Sequence, residues 1–409
     1  MLSRSALLSY SLFAAPLALV ALPVYVYAPA LYTGHEGLSL TEVGLALLAT
    51  RLLDAFIDPM VGTWIDRARH GAGYGKFVLL SLPLLTCGFV GLFNPPQWGH
   101  ALSLVWMLSC LLLVYGGFSL ASIAYQSWGA ALTQQRSKRA LITGTREACG
   151  LIGVVAAAIL PTLIGFGGLS IVFVVALLIG SWLLIRHAAE PPTVAISGSG
   201  SILLPFSNPA FRWLLPVFIL NGIAAAIPAT LFQFFAQDRL HLANQAGWFL
   251  GGYFLAGAAS MPLWVALSRR IGEARSWLMS MLLAIVAFCW AYFLTAGSEL
   301  GFGIVCLMSG LTLGADLALP PALLAGAIHR AGHSGRREGA YFGLWTWATK
   351  MNLALAAGAA LPLLGYLGYV PGATGSDGLQ ALAGTYAVLP CFFKLAAGGI
   401  LFFAPLNDL

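Results

Sequence analysis

The sequence predicts an all-α polytopic membrane protein with twelve transmembrane helices in two six-helix bundles. Three features predict it: an apolar composition, a series of long apolar runs, and one polar break near the middle. Of 409 residues, 59% are hydrophobic and only 8% charged, and the mean hydropathy is +0.87. A soluble domain carries about 25% charged residues. The chain therefore belongs in a lipid bilayer.

The apolar runs divide the chain into helices that are long enough to cross the hydrocarbon core. About 20 apolar residues in an α-helix span the roughly 30 Å of that core. Twelve such spans are predicted, at 7–32, 38–66, 76–93, 99–133, 139–165, 167–187, 209–238, 245–268, 273–296, 299–329, 338–368 and 380–404.

A polar segment rich in Pro, Gly and Ser interrupts this series once. It covers 188–208 and predicts a linker between an N-terminal bundle, 1–187, and a C-terminal bundle, 209–409. Twelve spans divided six and six by a cytoplasmic linker is the layout of the major facilitator fold.

The basic residues predict the orientation. Most of the 20 Lys and Arg residues fall in the termini and in the loops on one side of the twelve spans, and the loops of the other side hold only Arg239. The positive-inside rule then places both termini in the cytoplasm, and a bacterial inner membrane is expected. The net charge of +6 comes from separate short loops, so no nucleic-acid partner is expected. A monomer is expected.

The sequence gives no sign of enzyme chemistry or of a cofactor. It lacks a Ser/His/Asp constellation, a metal-ligand cluster and a phosphate-binding loop within a plausible site. The six cysteines lie in predicted spans without metal-ligand spacing, so neither a disulfide nor zinc is expected.

The charged stretch in the second span is the strongest functional signal. Arg51, Asp54 and Asp58 lie at helical spacings i, i+3 and i+7, which put them on one face of the helix. One charge at the bilayer centre costs from about 2.5 to more than 10 kcal/mol, so this face is expected to line a cavity. Two carboxylates one turn apart repel each other unless a proton, a metal cation or a base lies between them. Pro59 also frees the carbonyl of Ala55, a further cation ligand. The pair predicts a cation-coupling site, and a structural salt bridge with Arg51 or Lys350 is the alternative.

The same span ends in a second pattern, Gly62-x-x-x-Asp66-Arg67. The glycine allows a neighbouring helix to approach, and the charged pair beyond it is a candidate latch for one conformation. The alternative is an ordinary cytoplasmic loop that follows the positive-inside rule. This alternative explains Arg67 but does not explain Gly62 and Asp66 at this spacing.

Other charges lie within predicted spans. The bases are Arg51, Arg146, Lys350 and Lys394, and the acids are Asp54, Asp58, Glu147 and Asp316. Equal numbers predict mutual neutralisation across a central cavity. For Lys394, snorkelling toward the cytoplasm without a function is the alternative.

Three motifs resemble the glycoside–pentoside–hexuronide:cation symporter family, and the resemblance covers nearly the whole chain. They are Arg51-x-x-Asp54-Ala-x-x-Asp58-Pro59-x-x-Gly62; Trp128-Gly-Ala-x-Leu-Thr133 leading to Arg146-Glu147; and Gly314-Ala-Asp316 to Pro321 with Arg336-x-Glu338-Gly-x-Tyr341-Phe-Gly343 and Lys350.

The resemblance implies roles at the matched positions. Asp54 and Asp58 become the cation carboxylates, with Lys350 near them, and Arg146 lies by the sugar site. Tyr125 and Trp128 lie in the segment that supplies substrate contacts. Tyr341 and Trp345 are further candidates for substrate contact, although aromatic residues in membrane helices are more often packing residues. The remaining candidates, for a charge network and gating, are Arg51, Glu147, Asp66, Arg67 and Asp316.

Several family positions carry different residues here. Leu17, Ala18 and Ser122 stand where the family has sugar-binding charged residues, and Ile57 stands where it has an asparagine that helps bind sodium. The loss of this oxygen ligand favours H⁺ over Na⁺ as the coupling ion. Binding of Na⁺ between Asp54 and Asp58 stays an alternative. The loss of hydroxyl-binding acids also keeps a second substrate class open, because an unpaired sugar hydroxyl in a dry site costs about 1–3 kcal/mol.

The sequence therefore predicts a cation-coupled symporter that works by alternating access on a sugar or glycoside. A lysolipid or other amphiphile is the alternative substrate. A channel or a non-transporting membrane scaffold is more remote, because the sequence shows neither a continuous polar pore nor a large cytoplasmic domain.

Overall fold

A computed structural model gives the fold of residues 4–34, 38–68, 73–96, 99–133, 135–188, 201–370, 372 and 375–406. These residues form a succession of α-helices, with short 3₁₀ or π turns and no strand among them. The helices are α1 (Arg4–Leu12), α2 (Ala14–Gly34), α3 (Leu40–Ala68), α4 (Gly75–Phe93), α5 (His100–Ala131), α6 (Arg136–His187), α7 (Pro209–Phe234), α8 (Ala246–Ile271), α9 (Glu273–Tyr292), α10 (Glu299–Arg330), α11 (Glu338–Tyr366), α12 (Ser376–Ala383) and α13 (Leu389–Phe403).

Over these ranges, nine helical segments are long and apolar enough to cross a membrane. Three further helices, α2, α3 and α11, have 21, 29 and 29 residues and are also long enough to cross. α3 and α11 carry the charged residues of the predicted site. The fold is thus all-α and polytopic, and its layout is consistent with twelve spans.

One long helix, α6, contains two spans because it is broken inside. Gly165 has non-helical backbone angles and lies in the left-handed region at φ +68°. Two segments of membrane-spanning length, Lys138–Pro161 and Leu163–His187, lie within α6. A side chain at this φ is strained, so glycine provides the break. The sequence predicts the same break, between 165 and 167.

Two predicted spans are interrupted where a single helix is expected, and proline gives the reason in both. The span 7–32 is divided into α1 and α2, because Pro16 has no N–H to donate to the carbonyl of Leu12. The span 380–404 contains a π-helical turn, Gly384–Val388, where Pro390 likewise leaves the carbonyl of Tyr386 without its helical donor.

α3 begins with the capping box that Ser39 and Glu42 predict. The backbone N–H and the hydroxyl of Ser39 donate to Glu42 Oε2 at 2.9 and 2.7 Å, and the N–H of Glu42 donates to Ser39 Oγ at 3.2 Å. Each residue satisfies an amide that the first helical turn leaves without a partner.

The chain forms two compact units. The first comprises 1–135, 145–204 and 328–347, and the second comprises 136–144, 205–327 and 348–409. The predicted linker 188–208 lies largely outside the described residues, which omit 189–200. The predicted division at this linker stays a prediction.

Each unit has its own packed interior. In the first, α4 packs along α5, and α5 packs against α3. In the second, α13 packs on α7 and α9, around a core that includes the fully buried Leu231, Phe235 and Phe302. These interiors hold in place the polar groups of the candidate site.

Candidate functional site

The two carboxylates of α3 are buried in the first unit. Asp54 is 5% exposed and its Oδ1 accepts a hydrogen bond from Ser119 of α5 at 2.6 Å, and Asp58 is 0% exposed. Arg51 is half-buried and interacts electrostatically with Asp54 and with Tyr115 of α5. The sequence therefore identified a face of α3 that is turned into the protein, as expected for charges too costly to leave in lipid.

Cation binding at this pair stays a prediction, and the Arg51 interaction with Asp54 keeps the salt-bridge alternative open. Residues one helical turn apart lie about 6 Å from each other. Two full negative charges at that distance repel by about 3 kcal/mol at an effective dielectric constant of about 20. A proton or a small monovalent cation bound to either carboxylate removes this repulsion. Neither Ser119 nor Tyr115 follows from the sequence pattern, because nothing local to α5 indicates which of its residues face α3.

The Gly62 to Arg67 segment contacts the beginning of α11. A Cβ on Gly62 would lie 2.0 Å from the carbonyl oxygen of Gly339, so the two backbones approach as closely as glycine permits. Asp66 is 2% exposed and accepts the backbone N–H groups of Gly339 and Ala340 at 2.7 and 2.8 Å. Arg67 is exposed.

Asp66 therefore caps α11 from another helix. A carboxylate at a helix N-terminus satisfies orphan amides and interacts favourably with the helix dipole, by about 0.3–1 kcal/mol at exposed sites and up to about 2 when partly buried. The sequence predicts a latch here. The structure shows which groups Asp66 contacts, and the role in gating stays a prediction.

Arg146 and Glu147 of α6 pair with each other. Arg146 is 5% exposed, and its Nε and Nη2 donate to Glu147 Oε1 at 2.9 and 2.5 Å. Arg146 also interacts with Tyr10 of α1. The sequence predicts a partner on another helix for one of the two charges. Tyr10, which the sequence argument missed, is such a partner.

The aromatic candidates of α5 are packed against other aromatics. The Tyr125 hydroxyl donates to the carbonyl of Tyr10 at 2.6 Å, and the Tyr10 hydroxyl donates to the carbonyl of Tyr125 at 3.1 Å. Trp128 is 0% exposed and stacks on Tyr74, with ring centroids 6.3 Å apart. Both residues therefore hold helices together, and a substrate contact by either stays a prediction.

The candidates of α11 are divided between the two units. Tyr341 is fully buried and its hydroxyl lies 2.8 Å from His333 Nδ1 in the loop before the helix. Burial and the charges of Arg337 and Arg336 lower the pKa of His333 below its ordinary value. Trp345 is buried in the same unit, whereas Lys350 is half-buried and belongs to the second unit.

Asp316 is the centre of a buried polar cluster in the second unit. Its Oδ2 pairs with Lys394 Nζ at 3.1 Å, and its Oδ1 accepts from Asn221 Nδ2 at 3.0 Å and from Trp277 Nε1 at 2.8 Å. Lys394 also donates to Asn221 Oδ1 at 2.7 Å. The four side chains come from α7, α9, α10 and α13.

The alternative in which Lys394 snorkels is therefore wrong. Its side chain is 2% exposed because a carboxylate and an amide within the unit replace water around the ammonium group. Asn221 and Asp316 are isolated polar residues in apolar spans, and they are the sequence features that could have indicated a buried partner for Lys394. Their mutual proximity depends on the packing of four helices and could not be read from spacing.

Two of the six cysteines lie close together although they are far apart in sequence. Cys289 of α9 and Cys391 of α13 have their sulfur atoms 3.9 Å apart, and both are free thiols. Among the described residues, no group of three or more His, Cys, Asp or Glu side chains is arranged to hold a metal ion.

Comparisons with known proteins agree with this architecture. The family model described as MFS/sugar transport protein matches residues 9–408. The glucuronide carrier protein homolog of Escherichia coli K12 is 24% identical over 92% of this chain and 87% of its own length. The isoprimeverose transporter of Lactiplantibacillus pentosus is 24% identical over 93% and 84%. A bacterial homologue of the iron transporter ferroportin, solved in an outward-facing state, superposes with a TM-score of 0.75 at 16% identity, covering 97% of this chain and 98% of that one.

The family model and the membrane-length helices of the described residues define an integral membrane transport protein of the major facilitator superfamily. The chain belongs to the MFS/sugar transport protein family, and its relatives are similar to the glycoside–pentoside–hexuronide symporters that its motifs resemble. The family is one of transport proteins.

Proposed function

We propose that this protein is a cation-coupled symporter that moves a sugar or glycoside across the bacterial inner membrane by alternating access. Both termini lie in the cytoplasm, the protein works as a monomer, and no cofactor is needed beyond the coupling ion, H⁺ or Na⁺. The names of two relatives, a glucuronide carrier protein homolog and an isoprimeverose transporter, support the substrate class.

The observation that carries this proposal is the burial of Asp54 and Asp58 one turn apart on α3. A bound cation relieves their repulsion, and that free energy favours one conformation over another. The Asp66 contact with the beginning of α11 is made in one of these conformations and is released in the other. The interaction of Arg51 with Asp54 likewise changes between the two conformations. Arg67 takes part in the same change of charge contacts.

The substrate contacts are proposed from the buried charged and aromatic groups. Arg146 is the principal one, because its guanidinium has five N–H donors and only two of them are used in the bonds to Glu147. Lys350, in the second unit, is proposed separately as a substrate contact. Tyr125, Trp128, Tyr341 and Trp345 shape the surrounding wall, where rings stack on the apolar face of a pyranose.

A stabilisation screen tests the substrate class. A ligand that binds the native state alone raises the melting temperature, by an amount that grows with the logarithm of its concentration relative to Kd. The purified full chain is heated with sugars, glucuronides and lysolipids. Stabilisation by a sugar or glycoside supports the proposal, and stabilisation by lysolipids alone replaces it with amphiphile transport.

A further inference from the structure

A buried asparagine of α11, Asn352, is left short of hydrogen bonds. It is 4% exposed, and among the described residues its Oδ1 has no hydrogen-bond partner. Its Nδ2 approaches the carbonyl oxygen of Phe218 at 3.5 Å, the outer limit for such a bond. A buried amide normally has partners for its oxygen and its nitrogen.

The opposite helix is shaped to receive this amide. A Cβ on Gly222 of α7 would lie 1.9 Å from Asn352 Nδ2 and 2.7 Å from its Cγ, so any larger residue would displace the side chain. Phe218 and Gly222 are four residues apart and therefore lie on one face of α7. Glycine and asparagine thus form a matched pair that keeps a polar group inside an apolar bundle.

Asn221, the neighbour of Gly222, is a buried asparagine whose amide has all the partners that the Asn352 amide lacks. It is 3% exposed, and its amide is bonded at both ends, with Nδ2 donating to Asp316 and Oδ1 accepting from Lys394. The same unit therefore satisfies one buried asparagine fully and leaves the other with a free acceptor. A purely structural role predicts two satisfied amides.

We propose that Asn352 of the second unit is a substrate-binding residue, which accepts a sugar hydroxyl at Oδ1 when the transporter is loaded. This inference rests on the proposed function, since it takes the substrate to be a polyhydroxylated solute. A hydroxyl both donates and accepts, so one sugar hydroxyl satisfies Oδ1 while its neighbour accepts from Nδ2. An apolar or amphiphilic tail offers no such donor.

Asn352→Leu tests the inference, with Asn221→Leu as the matched control. Without sugar, Asn352→Leu is expected to raise the melting temperature of the full chain by about 2 °C, because the unmet acceptor is gone. Asn221→Leu is expected to lower it, because Asp316 and Lys394 each lose a partner. Methyl β-D-glucuronide and isoprimeverose are then titrated against wild type and Asn352→Leu. The variant is expected to need about tenfold more of the sugar that stabilises wild type.

A melting temperature that falls for Asn352→Leu as it does for Asn221→Leu overturns the inference, and so does unchanged sugar affinity. If the leucine variant does not fold, the sugar affinity of Asn352→Ala is compared with that of wild type instead. If neither sugar stabilises wild type, the proposed substrate class fails for these probes, and the sugar-free comparison decides the role of Asn352 separately.

Discussion

Replacing Lys394 by methionine is expected to lower the free energy of unfolding by about 3–5 kcal/mol, the range for removing one partner of a buried ion pair. Among the described residues, Asp316 then keeps only its neutral donors, Asn221 and Trp277, and its charge is left uncompensated inside the second unit. The loss is measured by denaturation of the purified protein in detergent, together with the same change at an exposed base, Arg270→Met. The exposed substitution is expected to stay within about 0.5 kcal/mol of wild type.

Removing both charges tests whether the stability lost in Lys394→Met comes from the unpaired charge of Asp316. A buried pair replaced by apolar residues of similar volume is often neutral or stabilising. Asp316→Leu combined with Lys394→Met is therefore expected to recover most of the stability that Lys394→Met loses. A loss below about 1 kcal/mol for Lys394→Met alone contradicts the assignment of these groups as a buried, mutually dependent pair.

Gly62→Ala is expected to break the contact between α3 and the beginning of α11. The added methyl would lie 2.0 Å from the Gly339 carbonyl oxygen, and backbone cannot yield as a side chain does. Asp66 then loses the amides of Gly339 and Ala340, whose hydrogen–deuterium exchange is expected to quicken by at least about tenfold, for about 1.4 kcal/mol of lost protection.

Gly44→Ala is the matched control, because it lies on the same helix and a Cβ there meets nothing within 4 Å. It is expected to leave exchange at Gly339 and Ala340 unchanged and to stabilise α3 slightly, by up to about 1 kcal/mol. Equal exchange in the Gly62 and Gly44 variants would show that the close approach is not what keeps Asp66 on α11.

Local patterns in the sequence predicted much of the fold. The apolar runs, the capping box of Ser39 and the break near Gly165 all depend on residues a few positions apart, and the structure contains each of them. The interruptions beside Pro16 and Pro390 were missed, because a proline in an apolar run is tolerated in membrane helices and its effect depends on neighbouring packing.

The site was predictable only in part. The cost of leaving charge in lipid predicts from sequence alone that Asp54 and Asp58 are turned into the protein, and both are buried. It does not identify Ser119, nor the contact of Asp66 with α11, because these pairs are 65 and 273 residues apart. Snorkelling of Lys394 was wrongly kept as an alternative for the same reason. Its buried partner, Asp316, is 78 residues away in the sequence, and no local pattern indicates the pairing.

The central claim is that Asp54 and Asp58 bind the coupling cation, and the most direct measurement is the cation dependence of sugar-induced thermal stabilisation. Wild type, Asp58→Asn and Asp377→Asn are compared in sodium and in potassium, and across pH. Asp377 is an exposed acid that serves as the control. Stabilisation of wild type and Asp377→Asn is expected to depend on sodium or on pH, and that of Asp58→Asn on neither. An Asp58→Asn protein that keeps the cation response of wild type contradicts the account.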